Sequence, residues 1–287
     1  MPAKKSVAIT GASSGFGLLT SVVLAERGWH VIATMRDLGR RDKLDAAAKE
    51  AGVTDRIEVH ALDLTREDQI AALAGLIEKR PEHLHALVNN AGFAMAGFAE
   101  DVSTAELRKQ FDTNFFGSVA VTRALLPKFA KQGFGHIVMM SSVSGRIGFP
   151  GVGSYAASKF ALEGWSETLR LELKPRGIHV VLIEPGSFET DIWTRNATIS
   201  DGTMAIQAHT DPEAAARLAR WRSKLQTDKP RANPKYVAEC IANILSNPKP
   251  RLRYSLGTDA WAGLLLRSLL PWKVFERILI KGSGIGK

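Results

Sequence analysis

Seven short apolar segments rich in β-branched residues punctuate the chain: "SVAIT" from residue 6, "HVIAT" from 30, "RIEVHAL" from 56, "HALVNN" from 85, "HIVMMSS" from 136, "HVVLIEP" from 179 and a weaker "RLRYSL" from 251. Between the first six lie helix-length stretches, at about 15–28, 66–80, 104–131 and 155–174. Strands that alternate with helices predict a parallel sheet covered on both faces, and right-handed crossovers make it a doubly wound α/β sandwich. The absence of an internal linker or repeat predicts one domain over residues 1–287. The alternation stops between 187 and 232, where a polar, partly helical insertion follows a strand's carboxyl end and is expected to act as a substrate lid. Residues 257–287 read as a carboxyl-terminal helical extension.

With 45% hydrophobic and 23% charged residues the chain is a globular one. Its longest apolar runs, such as "AWAGLLL" at 260–266, fall well short of the roughly 20 residues a membrane-spanning helix needs. The start, "MPAKKSVAIT", lacks the apolar core and cleavage site of a secretory signal, so a cytoplasmic protein is expected. Cys240 is the only cysteine, which excludes an intrachain disulfide and a cysteine-based zinc cluster; no metal is expected. The net charge of +9 suits either an anionic partner or plain solubility. Neither a basic low-complexity run nor a nucleic-acid motif accompanies it, so no nucleic-acid partner is expected.

The stretch "VAITGASSGFG" runs from the first strand through Gly11, Gly15 and Gly17 into a helix. Glycines there permit a tight turn and close backbone approach, and the helix N-terminus offers free N–H groups to a pyrophosphate. About 20 residues on, at the end of the second strand, an acid would hydrogen-bond the adenosine ribose of NAD; Met35 stands there, with Arg36 next. A guanidinium at that place pairs with the 2′-phosphate of NADP, and charge-assisted hydrogen bonds of roughly 1.5–3 kcal/mol give about 10- to 100-fold preference. NADP(H) is therefore favoured over NAD(H), with Asp37 as a competing acid.

Tyr155 and Lys159 lie four apart in "GVGSYAASKFALEG" and share a helix face. Together with "TGASSGFG", "NNAG" at 89–92, Asn114 in "TNFFG" and Ser142 in "MSSVSG", this pair resembles the short-chain dehydrogenase/reductase family across roughly residues 4–190. The resemblance implies a Rossmann-type sheet of about seven strands. It implies Tyr155 as general acid or base, Ser142 as donor to the substrate oxygen, Lys159 on the nicotinamide ribose, and Asn114 as support for a water that relays protons. It further implies cofactor contacts by Gly11, Ser13, Ser14, Gly15, Phe16 and Gly17, by Asp63 and Leu64 at the adenine, by Asn90, Ala91 and Gly92 below the cofactor, and by Pro185, Gly186 and Thr190 on the nicotinamide side.

The chemistry follows independently. A phenol titrates near 10, so working near pH 7 asks for roughly 4 kcal/mol. A unit positive charge at about 4 Å supplies roughly that much at an effective dielectric of about 20, so Lys159 is sufficient in magnitude.

Met95, Val143, Phe149, Phe188 and Trp193 flank these motifs and suggest an apolar substrate pocket. The tail "RYSLGTDAWAGLLLRSLLPWKVFERILI" resembles that of hydroxysteroid and retinol dehydrogenases in the family, which implies a steroid-like, retinoid-like or long-chain alcohol or carbonyl compound. Its last helix is amphipathic and basic, and packs on the domain, covers the pocket or lies on a membrane interface. Reduction of 3-oxoacyl groups on an acidic carrier protein is the alternative enzyme reading, and a non-catalytic NADP-binding sensor the alternative of another class. Family members usually pair through the two long helices at about 104–131 and 155–174, so a homodimer or homotetramer is expected.

Overall fold

The computed structural model describes residues 5–190, 192, 197–203, 216, 219–221, 223 and 231–285. Its first half runs β1 (Ser6–Ile9), α1 (Gly15–Glu26), β2 (His30–Met35), α2 (Asp42–Glu50), β3 (Ile57–Ala61), α3 (Glu67–Glu78) and β4 (Ala86–Asn89). A short β5 (Ala94–Ala96), α4 (Thr104–Phe111), α5 (Ser118–Gln132), β6 (Gly135–Met140), α6 (Gly153–Leu173) and β7 (Ile178–Pro185) follow. The remainder comprises β8 (Ala197–Ile199), α7 (Lys235–Leu245), β9 (Arg253–Leu256), α8 (Thr258–Leu269) and α9 (Trp272–Ser283).

All seven expected strands form one parallel sheet in the order β3-β2-β1-β4-β6-β7-β9. Strand side chains alternate between its faces. Val7, Ile9, Val31, Ala33, Val88, Val138 and Val181 meet Val23 and Leu24 of α1 and Val237 and Ile241 of α7 on one side. Ala8, Ile32, Leu87, Ile137, Val180 and Leu182 meet Leu73 of α3, Leu125 and Phe129 of α5, and Leu162 and Leu169 of α6 on the other. The fold is thus the doubly wound Rossmann-type sandwich.

Two features depart from simple alternation. The single helix expected at 104–131 is divided, with a π-helical segment at Asp112–Gly117 between α4 and α5. Such wide turns cluster at functional sites, and this one carries Asn114, which is fully buried. Separately, β5 and β8 pair parallel as a second, two-stranded sheet beside the first. The expected lid at 187–232 lies largely outside the described residues. Within it, Trp221 is buried against Phe98, its ring 5.7 Å away, and its indole N–H donates to the Pro150 carbonyl at 3.0 Å.

Candidate active site

Strand order reverses between β1 and β4, so the loops at their carboxyl ends diverge and leave a crevice. A cavity of about 530 Å³ occupies it. Gly11, Ser13, Ser14, Gly15 and Phe16 line one wall; Arg36, Asp63 and Leu64 line the far end; Asn90, Ala91 and Gly92 form the floor. Ser142, Tyr155, Lys159, Pro185, Gly186, Phe188 and Thr190 line the other end.

Local chemistry explains the glycine wall. Gly11 has φ of +71°, and a Cβ there would lie 2.7 Å from the Ala91 Cα, so the turn requires both glycine's left-handed freedom and its lack of a side chain. Gly17 stands apart from the cavity. A Cβ on it would lie 2.3 Å from the Gly11 carbonyl oxygen, so its part is to bring α1 against the turn. Asn90 fastens the floor to this wall, its Nδ2 donating to the Thr10 and Gly11 carbonyls at 2.9 and 3.0 Å. No side-chain hydrogen bond from Ser14 caps α1, and its first turn carries no acid, which leaves backbone donors and the positive helix end facing the cavity.

At the far end β2 stops at Met35, and Arg36 and Arg40 both line the cavity. Arg40 escaped the sequence reading because it reaches the site across a short 3₁₀ turn, Leu38–Arg40, whose presence no spacing rule announces. Asp37, the competing acid, accepts the Gly39 N–H at 2.9 Å and caps that turn. Burial pushes the Asp63 carboxyl up, but hydrogen bonds from Thr65 and the charges of Arg36 and Arg66 outweigh it and hold the group below its usual range.

At the other end, α6 presents Tyr155 and Lys159 one turn apart, both buried, and Ser142 follows β6 at the head of a 3₁₀ turn. The Tyr155 hydroxyl is hydrogen-bonded to Ser142. Ser142 Oγ also accepts the Ser144 N–H at 3.1 Å, which fixes its direction. Lys159 Nζ donates to the Met140 carbonyl at 2.7 Å and lies 5.7 Å from the Tyr155 ring centre.

The acidified phenol is expected of Lys159 and the positive ring of oxidised nicotinamide together, and the protein's own groups act in the other direction. In the protein alone burial pushes Tyr155 up to about 12, with the Ser142 hydrogen bond pulling the other way. Burial likewise pushes Lys159 down to about 8 against the charge of Glu163. Desolvation outweighs attraction because both groups lose water while the ammonium turns toward Met140.

Asn114 does not line the cavity. Its Oδ1 accepts the Phe93 N–H at 3.1 Å, and its Nδ2 donates to the Phe93 carbonyl at 2.9 Å and to Ser158 Oγ at 3.3 Å. It faces Lys159 across Gly92: a Cβ there would be 3.0 Å from Asn114 Oδ1 and 3.8 Å from Lys159 Nζ. The side chain thereby ties the π segment to the floor and to α6.

Behind Lys159 lies a charge cluster built on the buried carboxylates of Glu163 and Glu184, with no signal in the sequence, since its members come from four separate segments. Arg253 of β9 pairs with Glu163 at 2.9 Å, Glu184 at 3.0 Å and Glu167 at 2.6 Å. Arg146 pairs with Glu184 at 3.1 Å, and Ser255 donates to the same carboxylate at 2.6 Å. Burial pushes the Glu163 carboxyl up, joined by the Glu184 charge, while Ser141 and Arg253 act in the opposite sense.

The apolar candidates are dispersed. Phe188 borders the main cavity, its ring 5.7 Å from that of Phe16, and Val143 opens the 3₁₀ turn after Ser142. Met95 is buried beneath the surface, and Phe149 lines a second cavity of about 410 Å³ with Phe98 and Ile285. Trp193 lies outside the described residues. A cluster of Ala94, Ala96, Phe98, Val152 and Trp221, with Phe149, Ile192 and Ile285 against it, surrounds Tyr155. Trp221 and Ile285 come to this wall from distant positions and could be found only in three dimensions.

Residues 5–199 match the short chain dehydrogenase family. The chain is 41% identical to the "Uncharacterized oxidoreductase YusZ" of Bacillus subtilis strain 168, over 97% of this chain and 98% of that protein. It is 38% identical to human "Retinol dehydrogenase 8", over 88% and 81% of the two chains. A solved short-chain dehydrogenase from Streptomyces avermitilis superposes with a TM-score of 0.79 at 34% identity, covering 96% and 98% of the two chains. With the family's motifs gathered on one crevice of its fold, the chain belongs to the short-chain dehydrogenase/reductase family of oxidoreductases.

Proposed function

We propose that the protein is an NADP(H)-dependent oxidoreductase that interconverts an apolar alcohol with its ketone or aldehyde. The observation that carries this reading is the Tyr155–Ser142 hydroxyl pair at one end of the cleft, with Lys159 one turn along α6. The cleft suits a dinucleotide, with glycines and the uncapped start of α1 at its middle and two guanidinium groups at one end. When bound, the nicotinamide supplies or accepts the hydride at the substrate carbon.

The protein's own residues manage the oxygen. Ser142 and Tyr155 both present hydroxyls to it, Ser142 as hydrogen-bond donor and Tyr155 as the acid that protonates the developing alkoxide. In the protein alone burial pushes Tyr155 up to about 12, so its hydroxyl carries its proton before cofactor binds. Lys159 lies on the cleft wall where its ammonium can donate to the ribose and refill the Tyr155 proton. Asn114 acts as a positioning residue, holding Phe93 and Ser158 around that lysine. A panel of ketones, aldehydes and alcohols with NADPH or NADP⁺, followed at the nicotinamide absorbance, tests this reading. Turnover of free apolar carbonyls is expected; activity only on carrier-bound acyl groups, or on none of the panel, overturns it.

Preference for the 2′-phosphorylated cofactor rests on Arg36 and Arg40, since the nearby Asp37 is engaged by Gly39. Arg36→Leu is expected to weaken NADPH about 10- to 100-fold and leave NADH nearly unchanged. Tighter binding of NADH than of NADPH by the unaltered protein would overturn the assignment. The exposed Phe160 and Leu171 on α6, together with Phe116 before α5, support association through the two long helices. A monomer mass by light scattering at micromolar concentration would refute that.

A further inference from the structure

The described surface concentrates its large apolar side chains in one place. Of fifteen exposed large hydrophobic residues, eight fall between positions 261 and 280, on α8 and α9. Trp261, Leu265 and Leu269 follow one another at four-residue intervals along α8, with Trp261 63% and Leu269 69% exposed. Trp272 opens α9, and Val274 and Ile278 continue an apolar line four residues apart along it. Interleaved with these are Arg267, Lys273, Arg277 and Lys281, against Glu276; the other acid of the two helices, Asp259, accepts the Ser187 N–H. Arg267 lies over the Trp272 ring at 5.1 Å.

A soluble surface seldom leaves so much apolar area together without a partner. Twelve residues make each helix about 18 Å long, too short to cross a hydrocarbon layer of about 30 Å. Apolar lines bearing tryptophan and flanked by cations have the makeup of helices that lie in a lipid headgroup region. A second copy of the chain is the poorer occupant. An isologous contact brings this same surface of one copy against the other, so four cations would confront four cations.

The hairpin is also joined to the site at both ends. At its start, the Asp259 carboxylate accepts the Ser187 N–H at 2.7 Å, next to Gly186 of the cleft, and Gly263 lies against Ile147. At its finish, the Gly284 carbonyl accepts from Arg220 Nε at 3.1 Å, and Ile285 packs into the apolar cluster around Tyr155. We infer that the outer face of α8 and α9 docks on an anionic lipid surface, so that the rim of the substrate cleft meets the membrane in which an apolar substrate dissolves. The docking surface does not depend on the substrate reading, and turnover of soluble ketones is unaffected by its failure.

Flotation of the full-length protein with vesicles tests the inference. The protein is expected to float with mixed phosphatidylcholine–phosphatidylserine vesicles, less with phosphatidylcholine alone, and less again as salt is raised. The double change Trp261→Ser, Leu269→Ser is expected to lower partitioning about 100-fold, from the apolar area withdrawn. Lys273→Gln with Arg277→Gln is expected to lower it about 30-fold on the anionic vesicles only. All four side chains are exposed or partly so, and thermal melts check that the variants fold. The inference is overturned if the unaltered protein stays with the soluble fraction on anionic vesicles, or if neither variant changes its partitioning. It is equally overturned if light scattering finds an oligomer that the serine variant dissolves, which would assign the face to a second copy.

Discussion

Tyr155→Phe is expected to lower turnover at least about 100-fold while the protein still folds and binds its cofactor. Proton transfer by a positioned side chain is worth about 10²- to 10⁴-fold, and the phenylalanine ring keeps the place of Tyr155 in the apolar cluster with Ala94, Phe98, Val152 and Trp221. What disappears is one hydroxyl and its bond to Ser142, a structural cost of about 1 kcal/mol. The measurement is steady-state reduction of the best carbonyl from the panel, beside a fluorescence titration with NADPH. Wild-type turnover in the variant would eliminate Tyr155 as the acid.

The sheet was legible because each strand carries its own apolar run, and the glycine turn because Gly11, Gly15 and Gly17 stand between the first strand and a helix. Helical spacing puts Tyr155 and Lys159 on one face but does not separate a reaction centre from helix surface; the family's motifs in register are what single the pair out. The energy of that pair was not legible. A charge at an assumed distance favours an acidified phenol, whereas in the protein alone burial of both groups dominates, and the apolar cluster that holds Tyr155 includes Phe98 and Trp221 from distant positions. The same limit hid Arg40 behind a 3₁₀ turn and the pairing of β5 with β8, since three-residue strands carry too little pattern to read. Asn114 was found by its motif. Its amide also bonds Phe93 and Ser158, which adds a holding part that the motif does not describe.

Arg253→Met should be among the most damaging substitutions away from the cleft, although nothing around "RLRYSL" advertises it. Glu184 is fully buried and Glu163 is 5% exposed, while Arg253, itself 23% exposed, is the cation that both share. Removing one partner from a buried ion pair costs about 3–5 kcal/mol because the carboxylates keep their desolvation penalty. Partial solvation of Arg253 puts the expected loss near the lower figure, about 3 kcal/mol, or roughly 6–10 °C in melting temperature. Glu184 retains Arg146 and Ser255, so the larger share of the damage falls on Glu163.

The sign of the pH dependence follows from Glu163. Its folded-state carboxyl titrates above the ordinary value, chiefly through burial, so its contribution to stability is fully present below the unfolded value and is lost as pH rises through the folded one. Arg253 acts to lower that folded value, and its removal raises it further. The deficit of Arg253→Met relative to wild type should therefore be greatest at neutral pH and narrow as pH falls and Glu163 takes up its proton. Adding Glu163→Gln removes the stranded charge and should restore part of the loss, a coupling that a double-mutant cycle reads directly. Thermal melts of the four proteins from acid to neutral pH decide it. A deficit that is constant with pH, or fully additive with Glu163→Gln, would mean that Arg253 matters through packing of its stem rather than through its charge. The outcome bears on chemistry as well as stability, because Glu163 lies one helical turn beyond Lys159 and its charge opposes the burial that pushes that lysine down.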